Sequence, residues 1–152
     1  MAQDYIMRLV EQVGRMLAAI IAHKKAGRNE EAALEVESTC LQTVGLTLDM
    51  VHRSSPEALW SLLEQGGGMR YARAVMLAEL LIQDAELCIG AKRPADALRS
   101  RLQAFCLLAE SIDTLSEEEA AVYRPKLAAL AAALEPACSD PYVREKLERY
   151  AR

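Results

Sequence analysis

His23 and His52 are the only histidines in the chain, and acid–base chemistry would have to begin with one of them. His23 falls near the end of a helical segment, at the edge of its apolar stripe. His52 falls in an irregular connection, where exposure makes a functional role easier. Neither is followed by a glutamate at metal-ligand spacing, so both read as hydrogen-bonded structural residues. Glu79, Gln83 and Glu86 share one helix face. A di-iron centre would need Glu-x-x-His from two helices, which the chain lacks, and the three read as a solvated face. Ser38, Ser61 and Ser111 have no neighbouring His–acid context for a nucleophilic triad. Gly66-Gly67-Gly68 lacks the lysine and the helix opening of a phosphate loop, and there is no dinucleotide loop or Gly-x-Ser-x-Gly elbow. Cys40, Cys88, Cys106 and Cys138 are widely spaced among small or apolar residues, with no C-x-x-C pair. They read as reduced packing residues. No catalytic, metal or cofactor-binding residue is assigned, and no cofactor is expected.

Binding is the remaining chemistry. Lys24, Lys25 and Arg28 form a compact basic patch, but acidic residues follow at once, which argues against nucleic acid. The net charge of −4, from 18 basic and 22 acidic residues, offers no general attraction to nucleic acid or anionic lipid. Charges interrupt every apolar run before membrane-spanning length, and the start MAQDYIMRLVEQV lacks a secretory pattern. A cytoplasmic location and no membrane partner are expected. Trp60, the only tryptophan, either anchors a partner or sits at the rim of the core, the commoner use.

The elements that must position these residues are helices. The 152 residues are 52% hydrophobic with Ala and Leu dominant, and only 5% aromatic. One helical domain over 1–152 is expected, with seven or eight helical pieces. Two antiparallel hairpins span about 4–44 and 69–115, a short helical connection spans 46–65, and C-terminal helices span 117–151. Ile6, Leu9, Val10, Val13, Leu17, Ile20 and Ile21 form the stripe of the first helix. Met7, Gly14 and Ala18 form a second contact line, with Gly14 permitting close approach. The first helix stops near Gly27, and Asn29 caps the next, which ends at Gly45. Ser55-Pro56 restarts the chain, Gly66-Gly67-Gly68 interrupts it, and Gly90 ends the long helix before Pro94 opens another. Ser116 and Glu119 form a capping box, with Leu115 stapled against Ala120. Pro125 should kink or divide the helix that follows, and Asp140-Pro141 opens the last. Arg144, Lys146, Arg149 and Arg152 read as a solvated basic end.

The segments Ala26-Gly27-Arg28-Asn29-Glu30-Glu31-Ala32-Ala33-Leu34 and Gly90-Ala91-Lys92-Arg93-Pro94-Ala95-Asp96-Ala97-Leu98 echo one another at a spacing of 64. Both resemble the turns of tetratricopeptide repeats, whose regular period is 34 residues, which implies a divergent helical array. The start Asp4-Tyr5-Ile6 and the Lys25-Ala26-Gly27 hairpin are also similar to a bacterial family of small, tetratricopeptide-repeat-like all-helical proteins. That resemblance implies a fold and no activity. The expected function is a non-enzymatic protein- or peptide-interaction module, with Tyr5, Arg8, Gln12, Arg15, Trp60 and Tyr71 as partner contacts. Two alternatives stand beside it. One is a small-molecule-binding protein or small helical enzyme whose site is assembled from distant residues. The other is a homo-oligomer, a homodimer in its simplest form, packed through the second face of helix 1.

Overall fold

The structure, a computed structural model, describes residues 2–64, 70–136 and 138–150, with side chains from residue 11 onward. Among these residues there are eight α-helices and no strand: α1 (Ala2–Lys25), α2 (Asn29–Val44), α3 (Leu48–Arg53), α4 (Pro56–Glu64), α5 (Arg70–Gly90), α6 (Pro94–Ser111), α7 (Glu117–Leu134) and α8 (Pro141–Tyr150). A 3-10 turn over Ile112–Thr114 extends α6. The expected glycine interruption at 66–68 lies outside the described residues. None of the described helices is long and apolar enough to cross a membrane.

The helix ends follow from local chemistry. Gly27 takes φ +76°. This left-handed turn lets Gly27 N–H donate to Lys24 O at 3.1 Å and Arg28 N–H to His23 O at 2.8 Å, satisfying two terminal carbonyls of α1. α2 then begins directly at Asn29, with Arg28 in the capping place and no side-chain cap. The expected Asn29 cap is thus corrected: the tight turn at Gly27 brings Asn29 into the first turn of the helix. Gly45 (φ +83°) ends α2, and Thr47 caps α3 by accepting from Met50 N–H at 3.1 Å. Ser55 accepts from Ala58 N–H at 3.2 Å ahead of Pro56. Ser116 and Glu119 form the expected capping box of α7. Asp140 accepts from Tyr142 N–H at 2.8 Å at the start of α8.

Pro125 does not divide α7, which runs unbroken from Glu117 to Leu134. Pro125 and Ala121 are both exposed, so the carbonyl that loses its donor is on the wet side of the helix. No other described element of this chain packs closely on Gly14. A Cβ there would meet nothing within 4 Å among the described residues, and Gly14 and Ala18 both face outward. The side chain of Met7 lies outside the described set.

The buried cluster draws on every helix, from Ile20 of α1 to Leu147 of α8. Among the described residues α5 and α6 make the broadest contact, and α1, α2 and α4 also pack on α5. Small residues at Ala74, Ala78 and Ala104 let the helices approach, and Phe105 is fully enclosed. Its burial contributes on the order of 2–3 kcal/mol. α5 is consequently buried nearly all round, which decides the fate of its polar residues.

Candidate functional site

Three helices bring His52, Asp84 and Ser100 together. His52 is in the last turn of α3, Asp84 in the middle of α5, and Ser100 in α6. His52 Nε2 lies 2.9 Å from Asp84 Oδ2. Ser100 Oγ donates to that same oxygen at 2.7 Å. Burial alone would raise the Asp84 carboxyl. Hydrogen bonds from His52 and Ser100, with the charges of His52 and Arg93, outweigh it and hold the group below the ordinary carboxylate range. With Asp84 ionised, Nε2 is the nitrogen that carries hydrogen, and Nδ1 is left for other partners.

This arrangement is not a catalytic triad. A triad needs the hydroxyl to donate to the imidazole, whereas Ser100 donates past it to the carboxylate. Cys88 Sγ stands 4.0 Å from Asp84 Oδ2. Burial and the Asp84 charge push the Cys88 thiol up, so it stays protonated near neutral pH. The bonds within the cluster tie α3, α5 and α6 together. Among the described residues no group of His, Cys, Asp or Glu converges to hold a metal ion.

His52 also borders an open cleft of about 550 Å³ between α6 and the α3–α4 link, walled by Ser54, Pro56, Leu98, Arg99 and Leu102. Gln103 lines it and is only 1% exposed. Its Nε2 donates to Val51 O at 2.6 Å and Ser54 O at 2.8 Å, while no donor among the described residues reaches its Oε1. A flipped amide would set Oε1 against two carbonyl oxygens, so these bonds fix the side chain's sense.

A second surface follows α2. Leu34 and Leu41, two turns apart, are 64% and 54% exposed, and Met50 of α3 is 46% exposed. Leu34 and Leu41 line a groove of about 640 Å³ with Glu37, Ser38, Leu48 and Asp49. It runs into a shallower depression of about 380 Å³ holding His23, Glu31 and Glu35. His23 Nδ1 lies 3.4 Å from Glu31 Oε2, which Arg28 also engages at 3.2 Å. α2 carries Glu30, Glu31, Glu35 and Glu37 and no lysine or arginine. The exposed leucines therefore sit in an acidic surround.

Of the residues expected to contact a partner, the side chains of Tyr5 and Arg8 lie outside the described set, and Gln12 and Arg15 are exposed on α1. Trp60 and Tyr71 come together, with ring centroids 5.7 Å apart, and the Arg70 guanidinium lies 3.8 Å from the Trp60 centroid. Trp60 packs against the core as a rim residue while Tyr71 stays 41% exposed. Ser61 and Ser111 bond back to Glu57 O and Leu107 O of their own helices.

Two readings of solvated faces are overturned. Glu79 and Gln83 are buried, and only Glu86 of that trio is exposed. Glu79 pairs with Lys126 at 2.5 Å, and Lys24 donates to Gln83 at 2.7 Å while also pairing with Glu86. Lys24 is therefore no free basic patch. Lys146 is likewise buried, 2.8 Å from Glu110 and above the Tyr142 ring, because α8 lays it against α6. Arg152 lies outside the described residues. Asp84, Ser100 and Gln103 are the residues that sequence reasoning missed. For Asp84 the signal was the run Ala74–Ile82 on the same helix, apolar on every side except at Glu79. A helix hydrophobic all round is central, and polar residues within it require partners.

The fold and these surfaces define an all-helical protein with open clefts. The chain matches no family model, no curated protein and no solved structure.

Proposed function

We propose that the protein is a protein- or peptide-interaction module, and that α2 and α3 bind an amphipathic segment carrying basic residues. The observation that carries this reading is the exposure of Leu34, Leu41 and Met50 beside Glu37 and Asp49. Apolar side chains in contact with water supply the attraction, and the carboxylates favour lysine or arginine on the partner. In this reading α1–α2 and α5–α6 are antiparallel hairpins of a divergent, tetratricopeptide-repeat-like array, and α2 is the face offered to the partner. The short connections at Ala26–Arg28 and Ala91–Arg93 support it. Trp60 and Tyr71 supply a separate aromatic contact.

The test is fluorescence anisotropy with two labelled helical peptides that share a leucine stripe, one bearing lysines and the other glutamates. The lysine peptide is expected to bind, and Leu34→Ser/Leu41→Ser to weaken it at least tenfold without changing the charge of the protein. Equal binding of the two peptides, or full binding by the double variant, would overturn the reading.

A further inference from the structure

We propose that His23 sets the affinity of the α2 surface for its basic partner: protonating this imidazole weakens the partner's hold, so that mild acid releases it. The inference rests on the reading of that surface given above. His23 lies in the last turn of α1, in the shallow depression of about 380 Å³ that it shares with Glu31, Leu34, Glu35 and Ser38. Leu34 and Ser38 also line the larger groove, so depression and groove are one continuous surface. His23 Nδ1 is buried, 3.4 Å from Glu31 Oε2, and makes no hydrogen bond among the described residues. The ring is thus set directly against a carboxylate of the surface that the partner would occupy.

The charges around the ring decide the sign. From α2, Glu31 and Glu35 line the depression, and Arg28 in the connection engages Glu31 at 3.2 Å. On the α5 side of this end of α1, Glu86 pairs with Lys24 and the two cancel. Two carboxylates against one guanidinium leave the depression with one negative charge while His23 is neutral. A protonated His23 cancels it. The pull on a partner's lysine or arginine then falls to Glu37 and Asp49 in the adjoining groove, and Arg53 already engages Asp49 at 3.1 Å. Histidine is the side chain whose ordinary charge change falls between pH 5 and 8, whereas carboxylates titrate below that range and lysine and arginine above it. The other histidine, His52, is bonded to Asp84 and lines neither part of the surface. A unit charge about 7 Å from a partner cation, in a water-like surround, changes affinity about threefold at low salt.

The experiment measures anisotropy with the full chain and the lysine-bearing leucine-stripe peptide, blocked at both ends and free of histidine, at pH 7 and 5.5 in low salt. The wild type is expected to bind about threefold more weakly at pH 5.5. His23→Gln is expected to bind equally at both values. His23→Arg carries the charge permanently and is expected to bind at both as the wild type does in acid. Wild-type binding that ignores pH would overturn the proposal and leave the groove reading intact. A dependence that survives in His23→Gln would overturn it by assigning the titration to another group, and so would His23→Arg binding as tightly at pH 7 as the wild type. Failure of the peptide to bind at either pH would remove the groove reading and this inference together.

Discussion

Ser100 gives its hydroxyl hydrogen to Asp84 across 2.7 Å, at a point where neither residue has appreciable contact with water. The bond ties α6 to α5, and His52 on the same oxygen ties in α3. Because the folded carboxyl is held below its ordinary value, Asp84 contributes stability that is present above the unfolded pKa of about 4. That contribution is lost as pH falls through the folded value. Asp84→Asn is expected to destabilise by about 2 kcal/mol at pH 7, since Ser100 and His52 lose a charged acceptor. The gap to the wild type should narrow below pH 4. Urea unfolding at pH 7, 4 and 2.5 checks both parts; a gap that did not change with pH would contradict the ionised lock.

Lys92 holds in the α5–α6 connection the left-handed place that Gly27 holds in the α1–α2 connection, with φ +62° against +76°. Arg93 N–H reaches back to Cys88 O at 2.8 Å as Arg28 N–H does to His23 O. A side chain in this conformation costs about 1 kcal/mol relative to glycine. Lys92→Gly should therefore stabilise by roughly 0.5–1 kcal/mol. Gly27→Ala should destabilise by about 1 kcal/mol through backbone strain alone, because its Cβ would meet nothing within 4 Å. Thermal unfolding of the two variants should move in opposite directions.

That correspondence also shows why one part of the architecture was misread. Aligning the two turns on Ala33-Leu34 and Ala97-Leu98 gives a spacing of 64 and pairs Phe105 with Leu41. The backbone pairs Lys92 with Gly27, a spacing of 65, which puts Phe105 with Cys40; both are buried, whereas Leu41 is exposed. Helix starts were readable because Ser116–Glu119, Ser55–Pro56 and Asp140–Pro141 act over three residues or fewer. Asp84, Ser100 and Gln103 were not. A charge in a helical pattern reads as solvent-facing until the neighbours on every side of that helix are known. The partners of Asp84 lie 16 and 32 positions away. Pro125 leaves α7 undivided, and the carbonyl it orphans is on the wet side, which the proline's place in the sequence does not reveal.

Lys146 and Glu110 make the lock of α8. Lys146 Nζ lies 2.8 Å from Glu110 Oε1, and Tyr142 donates its hydroxyl to the same oxygen at 3.0 Å. Burial pushes Glu110 up, but the bonds and charge of Lys146 and the Tyr142 hydroxyl bring it below its ordinary value. Lys146→Met should cost about 2 kcal/mol by leaving the carboxylate with only Tyr142, discounted because Glu110 keeps some contact with water. Adding Glu110→Gln should recover more than half of that loss. A double-mutant cycle by urea unfolding measures it, and simple additivity of the two changes would refute the lock.

Cys138 should be the fast thiol of the native protein. Cys40, Cys88 and Cys106 are each at most 2% exposed, and Cys40 donates its S–H to Leu46 O at 3.2 Å. Burial, with a smaller contribution from the Asp84 charge, pushes the Cys40 thiol up to about 12. Burial also dominates at Cys106, again reaching about 12 although Lys146 pulls it down. Neither thiol is appreciably ionised at pH 8, even before access is considered. Cys138 is half-buried in the link before α8, where reagent can approach without opening the core. A thiol reagent at pH 8 should therefore show one rapid reaction, absent in Cys138→Ser, followed by a slow phase for the remaining three. Urea should accelerate that slow phase in step with unfolding, because the three thiols become reactive only when α2, α5 and α6 separate. Rapid reaction of Cys40 or Cys106 in the folded protein would show that the α2 and α6 packing opens on its own.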